Sequence, residues 1–247
     1  MKKQRLDVAL VERGLCETRS KAQSLIMARR ILVNGRHVDK AGANVADDDE
    51  LRIEALEHPW VGRGGMKLAH ALREFGISVD GKTCADIGAS TGGFTDVMLQ
   101  SGATKVYAID VGYGQIDASL RGDPRVVNRE KINARYLTAA DFEDVIEFVS
   151  IDVSFIPLKL ILPAVATFLR GELVALIKPQ FEVGKADVGK GGIVRDETKR
   201  AAAVEAVVAF ARGIGFDVRG VIESPVKGAE GNVEYLMHAG NLGNRAI

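Results

Sequence analysis

Cysteine is nearly absent from this chain: its 247 residues hold only Cys16 and Cys84, far apart and in no CxxC spacing. Two isolated thiols exclude a disulfide scaffold and a cysteine-based zinc site, and they read as buried side chains. Proline is scarce at six residues and aromatics make up 6% of the chain. No window approaches the roughly 18 uninterrupted apolar residues of a membrane span. The opening MKKQRLDVALVERG carries a charge every few residues, where a secretory signal needs an apolar stretch. These absences exclude secreted, membrane-spanning and fibrous classes and predict a cytoplasmic protein. What is present is ordinary for a globular chain, 47% hydrophobic and 27% charged residues. The length allows one large domain, or one of ordinary size with a small module.

Net charge is also missing, with 33 basic residues against 33 acidic, but the balance hides an asymmetry. Residues 1 to 40 carry ten Lys or Arg against four acids, a net of +6, whereas residues 41 to 60 carry one Arg against six acids, a net of −5. The basic footprint is therefore confined to the front of the chain.

Within that stretch, Leu6, Ala9, Leu10 and Val11 predict a short helix ending at Gly14. A second helix follows, with Thr18 as N-cap and Ala22, Leu25 and Ile26 on one face. At about 100° per residue, Arg19, Gln23 and Arg30 project together from such a helix. Ile31-Leu32-Val33, Asn34-Gly35 and Arg36-His37-Val38 predict a hairpin with a type I′ turn, and residues 51–55 alternate as a further strand. The run RLDVALVERGLCETRSKAQSLIMARRILVNG resembles the S4 RNA-binding domain over most of residues 5 to 55. That resemblance implies RNA contacts from Arg5, Arg19, Lys21, Gln23, Arg30 and Arg36.

After His58-Pro59-Trp60, read as a linker over residues 58–61, apolar strands alternate with helical stretches. Candidate strands cover residues 83–87, 105–110, 125–128, 148–153, 173–178, 216–222 and 234–239. This order predicts an α/β fold, a doubly wound and mainly parallel sheet with ligands at the carboxyl ends of its strands. The first strand runs into Asp86-Ile87-Gly88-Ala89-Ser90-Thr91-Gly92-Gly93-Phe94, a turn with GxxxGG spacing in place of the GxGxxG of dinucleotide enzymes. Asp110 ends the second strand, where a carboxylate can accept hydrogen bonds from a ribose diol. Together these predict S-adenosylmethionine as cofactor, bound by Asp86, Gly88, Ser90, Gly92, Gly93, Phe94 and Asp110. The stretch Gly184 to Lys190 satisfies GxxxxGK, but Gly191 replaces the Ser or Thr of a P-loop, so a lid is the preferred reading.

Four ionisable residues fall where such a fold places chemistry: Lys67 in VGRGGMKL, Asp152 in IDVSFIPL, Lys178 in LIKPQFE and Glu234 in NVEY. They look like the K-D-K-E tetrad of RrmJ/FtsJ-type ribose 2′-O-methyltransferases. With the S4-like front and DIGASTGGFTD, the whole chain resembles the TlyA family, with one departure, Gly62 where that family's pattern has Ser. The resemblance implies an S4-like module at residues 1–57 and a Rossmann-like class I methyltransferase domain with a seven-stranded sheet at 62–247. It also implies an S-adenosylmethionine-dependent enzyme methylating cytidines of bacterial 16S and/or 23S ribosomal RNA, as naked RNA or in ribosomal subunits. Lys178 would take the hydroxyl proton, Lys67 would orient the hydroxyl, and Asp152 and Glu234 would hold the lysines. No metal, membrane or protein partner is implied. The family also carries the name haemolysin, which makes a membrane-lytic protein one rival, and a non-catalytic RNA-binding or assembly factor is another.

Overall fold

The computed structural model describes residues 3–27, 30–54, 58–184, 187–228 and 231–241. It divides the chain into two compact units, residues 1–59 and 60–247.

The first unit contains strand β1 (Lys3–Arg5), helices α1 (Leu6–Glu12) and α2 (Arg19–Met27), and strands β2 (Ile31–Val33), β3 (Arg36–Val38), β4 (Asn44–Ala46) and β5 (Leu51–Ile53). Leu6, Ala9 and Leu10, spaced as a helix stripe requires, meet Ala22, Ile26, Ile31 and Val45 in one core. Gly14 at φ +70° ends the first helix, and the hydroxyl of Thr18 accepts from the Lys21 N–H at 3.2 Å to start the second. Asn34 and Gly35 both have positive φ, as a type I′ turn demands. The hairpin extends to a β3-β2-β5 sheet, and a separate pair joins β1 to β4 antiparallel. That pair had no sequence signal, because Lys3-Gln4-Arg5 shows no apolar alternation. Ala55, the last residue of the strand expected over residues 51–55, lies outside the described residues.

The second unit builds a seven-stranded sheet from β6 (Thr83–Ile87), β7 (Lys105–Ile109), β8 (Val126–Arg129), β9 (Ile146–Ile151), β10 (Leu169–Ile177), β11 (Phe216–Glu223) and β12 (Tyr235–Asn241), in the order β11-β12-β10-β9-β6-β7-β8. Five neighbouring strands from β10 to β8 are parallel, and β12 runs antiparallel to both β10 and β11. All seven predicted strands are present. The fifth starts at Leu169, earlier than expected, because the polar Arg170-Gly171-Glu172 belongs to it through a register shift against β9. Alternate strand residues feed two cores. Ile87, Ile109, Ile151 and Ile177 face α5 (Leu162–Phe168) and α6 (Glu197–Gly213). Cys84, Val106, Phe148 and Val174 face α3 (Gly65–Phe75) and α4 (Gly93–Gln100). Both cysteines are buried and free, and burial pushes the Cys84 thiol up to about 12.

The chain runs outward from β6 through β7 to β8 and then returns to place β9 on the other side of β6. This reversal opens a crevice beyond the carboxyl ends of β6 and β9, the position where open α/β sheets bind ligands.

Candidate active site

Two adjoining cavities occupy that crevice. The larger, about 650 Å³, is lined by Gly88, Ser90, Asp110, Val111, Gln115 and Ile132 to Arg135 on one side and by Asp152 to Pro157 on the other. The smaller, about 320 Å³, holds Lys67, Lys178 and Glu234, and both cavities share Ser154 and Phe155 in their walls.

The glycine-rich turn is shaped by close approach. Gly88, at φ +84°, passes so near the Asp152 carbonyl that any Cβ would collide with it. Gly92, at φ +96°, would strike Leu120. Only glycine satisfies both constraints. The predicted cofactor residues then sort into two groups. Gly88, Ser90 and Asp110 line the larger cavity, whereas Asp86, Gly92, Gly93 and Phe94 stand behind it. Asp110 joins the two loops, accepting from the Ser90 N–H at 2.8 Å and the Gly112 N–H at 2.7 Å. Asp86 is fully buried, accepting from the Thr95 hydroxyl at 2.7 Å and the Ser150 hydroxyl at 2.9 Å. Burial without a cation raises its carboxyl to about 6. Gly62 sits where its Cβ would lie 2.9 Å from the Thr91 hydroxyl, so the departure from the family pattern gives the Thr91 side chain room.

The four residues of the predicted tetrad converge, although 167 positions separate the first from the last. Lys67 sits in the first turn of α3 and donates to Glu234 at 2.6 Å, with Asp152 at 4.0 Å. Lys178, which follows β10, lies 2.5 Å from Asp152 and donates to the Ser154 hydroxyl at 2.9 Å. Asp152, just beyond β9, is thereby the carboxylate between the two lysines. Both lysines and Glu234 are buried, so their charges are compensated inside the cleft. Sequence reasoning did not single out Ser154, Arg63, Gln180 or Lys227, all of which line this cleft. The first three lie inside motifs that were recognised, but Lys227 is one lysine in a polar loop and carries no signal. Phe155 is 91% exposed at φ +64°, its ring 5.1 Å from that of Phe181.

The residues expected to contact RNA divide as well. Arg5, Arg19 and Gln23 gather round the buried Asp7, Arg5 at 3.0 and 3.1 Å, Arg19 at 2.8 Å and Gln23 at 2.7 Å. These partners hold the Asp7 carboxyl far below its usual range, with the Arg5 hydrogen bonds the largest cause. Arg5 and Arg19 remain about half exposed. Arg30 does not share their helix face: α2 ends at Met27, and Arg30 donates to the Glu54 carbonyl at 2.5 Å. Helical phase cannot be carried past the end of a helix. Lys21 and Arg36 are exposed.

The GxxxxGK stretch makes no P-loop. Lys185 and Ala186 lie outside the described residues. Gly192 and Val194 are tied to the side chain of Asn232, at 3.0 and 3.2 Å, and the next helix, α6, opens only at Glu197 behind an Asp196 cap. The described residues of this stretch line neither cavity, which gives the lid reading no support. Among the described residues no cluster of three or more His, Cys, Asp or Glu forms a metal site, and no helix is long and apolar enough to cross a membrane.

A family model for FtsJ-like methyltransferases matches residues 60–241, and one for the S4 domain matches residues 4–51. The chain is 45% identical over 246 residues to the 16S/23S rRNA (cytidine-2′-O)-methyltransferase TlyA of Mycobacterium tuberculosis, covering 98% of this chain and 92% of that one. The chain belongs to the TlyA family of FtsJ-like methyltransferases. It is also 49% identical over 240 residues to YqxC of Bacillus subtilis, a candidate rRNA methyltransferase, covering 96% and 85% of the two chains. The solved structure of a candidate hemolysin from Streptococcus thermophilus matches with a TM-score of 0.76 at 47% identity, over 98% of this chain and 89% of that one. This FtsJ-like membership agrees with the sheet order and with the position of the crevice.

Proposed function

We propose that this protein transfers the methyl group of S-adenosylmethionine to the ribose 2′-hydroxyl of cytidines in bacterial ribosomal RNA, 16S and/or 23S, with its S4 domain supplying RNA affinity. The observation that carries this reading is the convergence of two lysine–carboxylate pairs in a cleft that shares Ser154 and Phe155 with a cavity of about 650 Å³. The residues present fit the cofactor. The turn at Gly88 runs past the cavity without a side chain, and each Asp110 oxygen takes one N–H bond, leaving lone pairs for a ribose diol. When bound, S-adenosylmethionine supplies a methyl group already activated on a sulfonium.

The chain's own residues supply position and a place for the proton. A ribose hydroxyl is a poor nucleophile at neutral pH, so its proton must leave as the new O–C bond forms and the S–C bond electrons return to sulfur. Lys178, once its ammonium has released a proton to solvent, takes up the hydroxyl proton as the amine, and Asp152 at 2.5 Å stabilises the ammonium that re-forms. Lys67, fixed by Glu234, points its remaining donors at the hydroxyl oxygen. General-base action of this kind contributes about 10²- to 10⁴-fold, and orientation of the two reactants supplies much of the rest. The test is to map 2′-O-methyl positions in ribosomal RNA with and without this protein. The reading requires a cytidine whose methylation depends on it, and identical maps would overturn it.

A further inference from the structure

The four cations lining the tetrad cleft are not equivalent. Lys67 and Lys178 are buried and paired with Glu234 and Asp152, so two positive and two negative charges cancel. Arg63 and Lys227 line the same 320 Å³ cavity, are exposed, and have no ion partner among the described residues. Glu234, a carboxylate in that wall, is only 2% exposed and already taken by Lys67. Among the described residues, the mouth of the cleft thus carries two positive charges with no ion partner, over an interior whose paired charges sum to zero.

We infer that Arg63 and Lys227 form an anion site for the phosphodiester adjoining the methylated ribose, an inference that rests on the ribose-methylation reading above. Both cations are anchored to the tetrad. Arg63 stands two residues before α3, whose first turn carries Lys67. Lys227 precedes Gly228, whose backbone lies so close to the Glu234 carboxylate that a Cβ there would collide with it, and whose N–H is held by the Asn232 carbonyl at 2.9 Å. An RNA strand that presents a 2′-hydroxyl to Lys178 also brings its 3′-phosphate, borne on the neighbouring ribose carbon. Cations whose charge no carboxylate has cancelled are free to neutralise that phosphate and release its counterions. The paired lysines are not, because moving toward a phosphate would strip the buried Glu234 and the partly buried Asp152 of their partners. The cleft therefore separates an outer pair that binds from an inner pair that reacts, and it favours a nucleotide inside a strand over a free nucleoside.

The test compares cytidine with cytidine 3′,5′-bisphosphate, titrated by NMR or calorimetry into the full chain saturated with S-adenosylhomocysteine at low salt. The bisphosphate should bind the parent at least about tenfold more tightly than cytidine, and Arg63→Gln and Lys227→Gln should each remove roughly three- to tenfold of that preference. Affinity for cytidine and for S-adenosylhomocysteine should stay near the parent value, which shows that the variants remain folded. Equal binding of the two ligands by the parent, or an unchanged preference in both variants, overturns the anion site. A second readout uses methyl transfer to ribosomal RNA. Each variant should raise the RNA concentration needed for half-maximal rate and flatten its log–log salt dependence by about one unit, with the rate at saturation nearly retained. A lost saturating rate with an unchanged salt slope would place these residues in the chemistry and overturn the proposal. If the parent methylates no ribosomal RNA yet prefers the bisphosphate through these two residues, the ribosomal reading fails while the anion site stands.

Discussion

Each unit of this chain surrounds buried or partly buried carboxylate charge with cations, and the two do so with different chemistry. In the front unit Asp7 is held by two arginines and a glutamine. In the methyltransferase unit Asp152 and Glu234 are held by two lysines. A guanidinium stays protonated in proteins and grips a carboxylate with a planar fork, whereas an ammonium is a compact charge that can exist as the free amine. Arginine therefore suits a centre whose charge must be fixed, and lysine suits one through which a proton must pass. Another buried acid, Asp86, is held by two hydroxyls and a backbone N–H in place of cations, and its carboxyl moves the opposite way from that of Asp7. Burial is complete for both; the partners set the sign.

The largest effect should come from giving the catalytic unit the chemistry of the front unit. Lys178→Arg keeps a positive charge facing Asp152 but removes the amine that can accept a proton. Single-turnover methyl transfer should fall by about 10²- to 10⁴-fold while cofactor affinity measured by calorimetry stays near the parent value. Near-normal turnover in this variant would break the distinction between the two centres.

Next in size is removal of the front carboxylate. Asp7→Ala leaves two half-exposed arginines and an amide without their shared acceptor, and it should destabilise the first unit by about 1 to 3 kcal/mol. Hydrogen exchange in α1 and α2 of the full chain reads this directly. Because the folded carboxyl is depressed, its stabilisation is fully present above the unfolded value of about 4 and is lost as pH falls below it. Unchanged protection at neutral pH would mean that the arginines never depended on Asp7.

The third prediction has the opposite sign. Asp86 has a raised carboxyl in the folded state, so its contribution falls as pH rises from about 4 through about 6, by up to about 3 kcal/mol. Asp86→Asn should flatten that part of the stability–pH curve and leave stability at pH 7 equal to or above the parent, as measured by chemical denaturation at several pH values. A strongly destabilised variant with the slope retained would show that the charge itself is needed.

Much of this was readable in the residues. The five parallel strands were legible because strands of a covered parallel sheet appear as apolar runs, and the Asn34-Gly35 hairpin because a type I′ turn needs positive φ at both positions. The tetrad was legible through motif resemblance, since spacing gives no account of why positions 67 and 234 should meet. The face of Arg30 was misread because the end of α2 depends on packing, and the β1–β4 pair was invisible because a three-residue strand with a polar sequence acquires its structure from its partner.

The sequence by itself determined the two-part architecture, the glycine-rich turn and the confinement of positive charge to the front, because these follow from local periodicity, turn chemistry and residue type, while the four tetrad residues were marked out only by their resemblance to family motifs. Only the tertiary structure decided which predicted residues stand at the cavities and which stand behind them. It paired each tetrad lysine with its own carboxylate, brought Ser154 to Lys178, gathered Arg5, Arg19 and Gln23 on Asp7, and left Arg63 and Lys227 without an ion partner among the described residues. The physical reason is that pairing and desolvation are set by distances of a few ångströms between residues remote along the chain, and those distances exist only once the sheet has closed around the crevice.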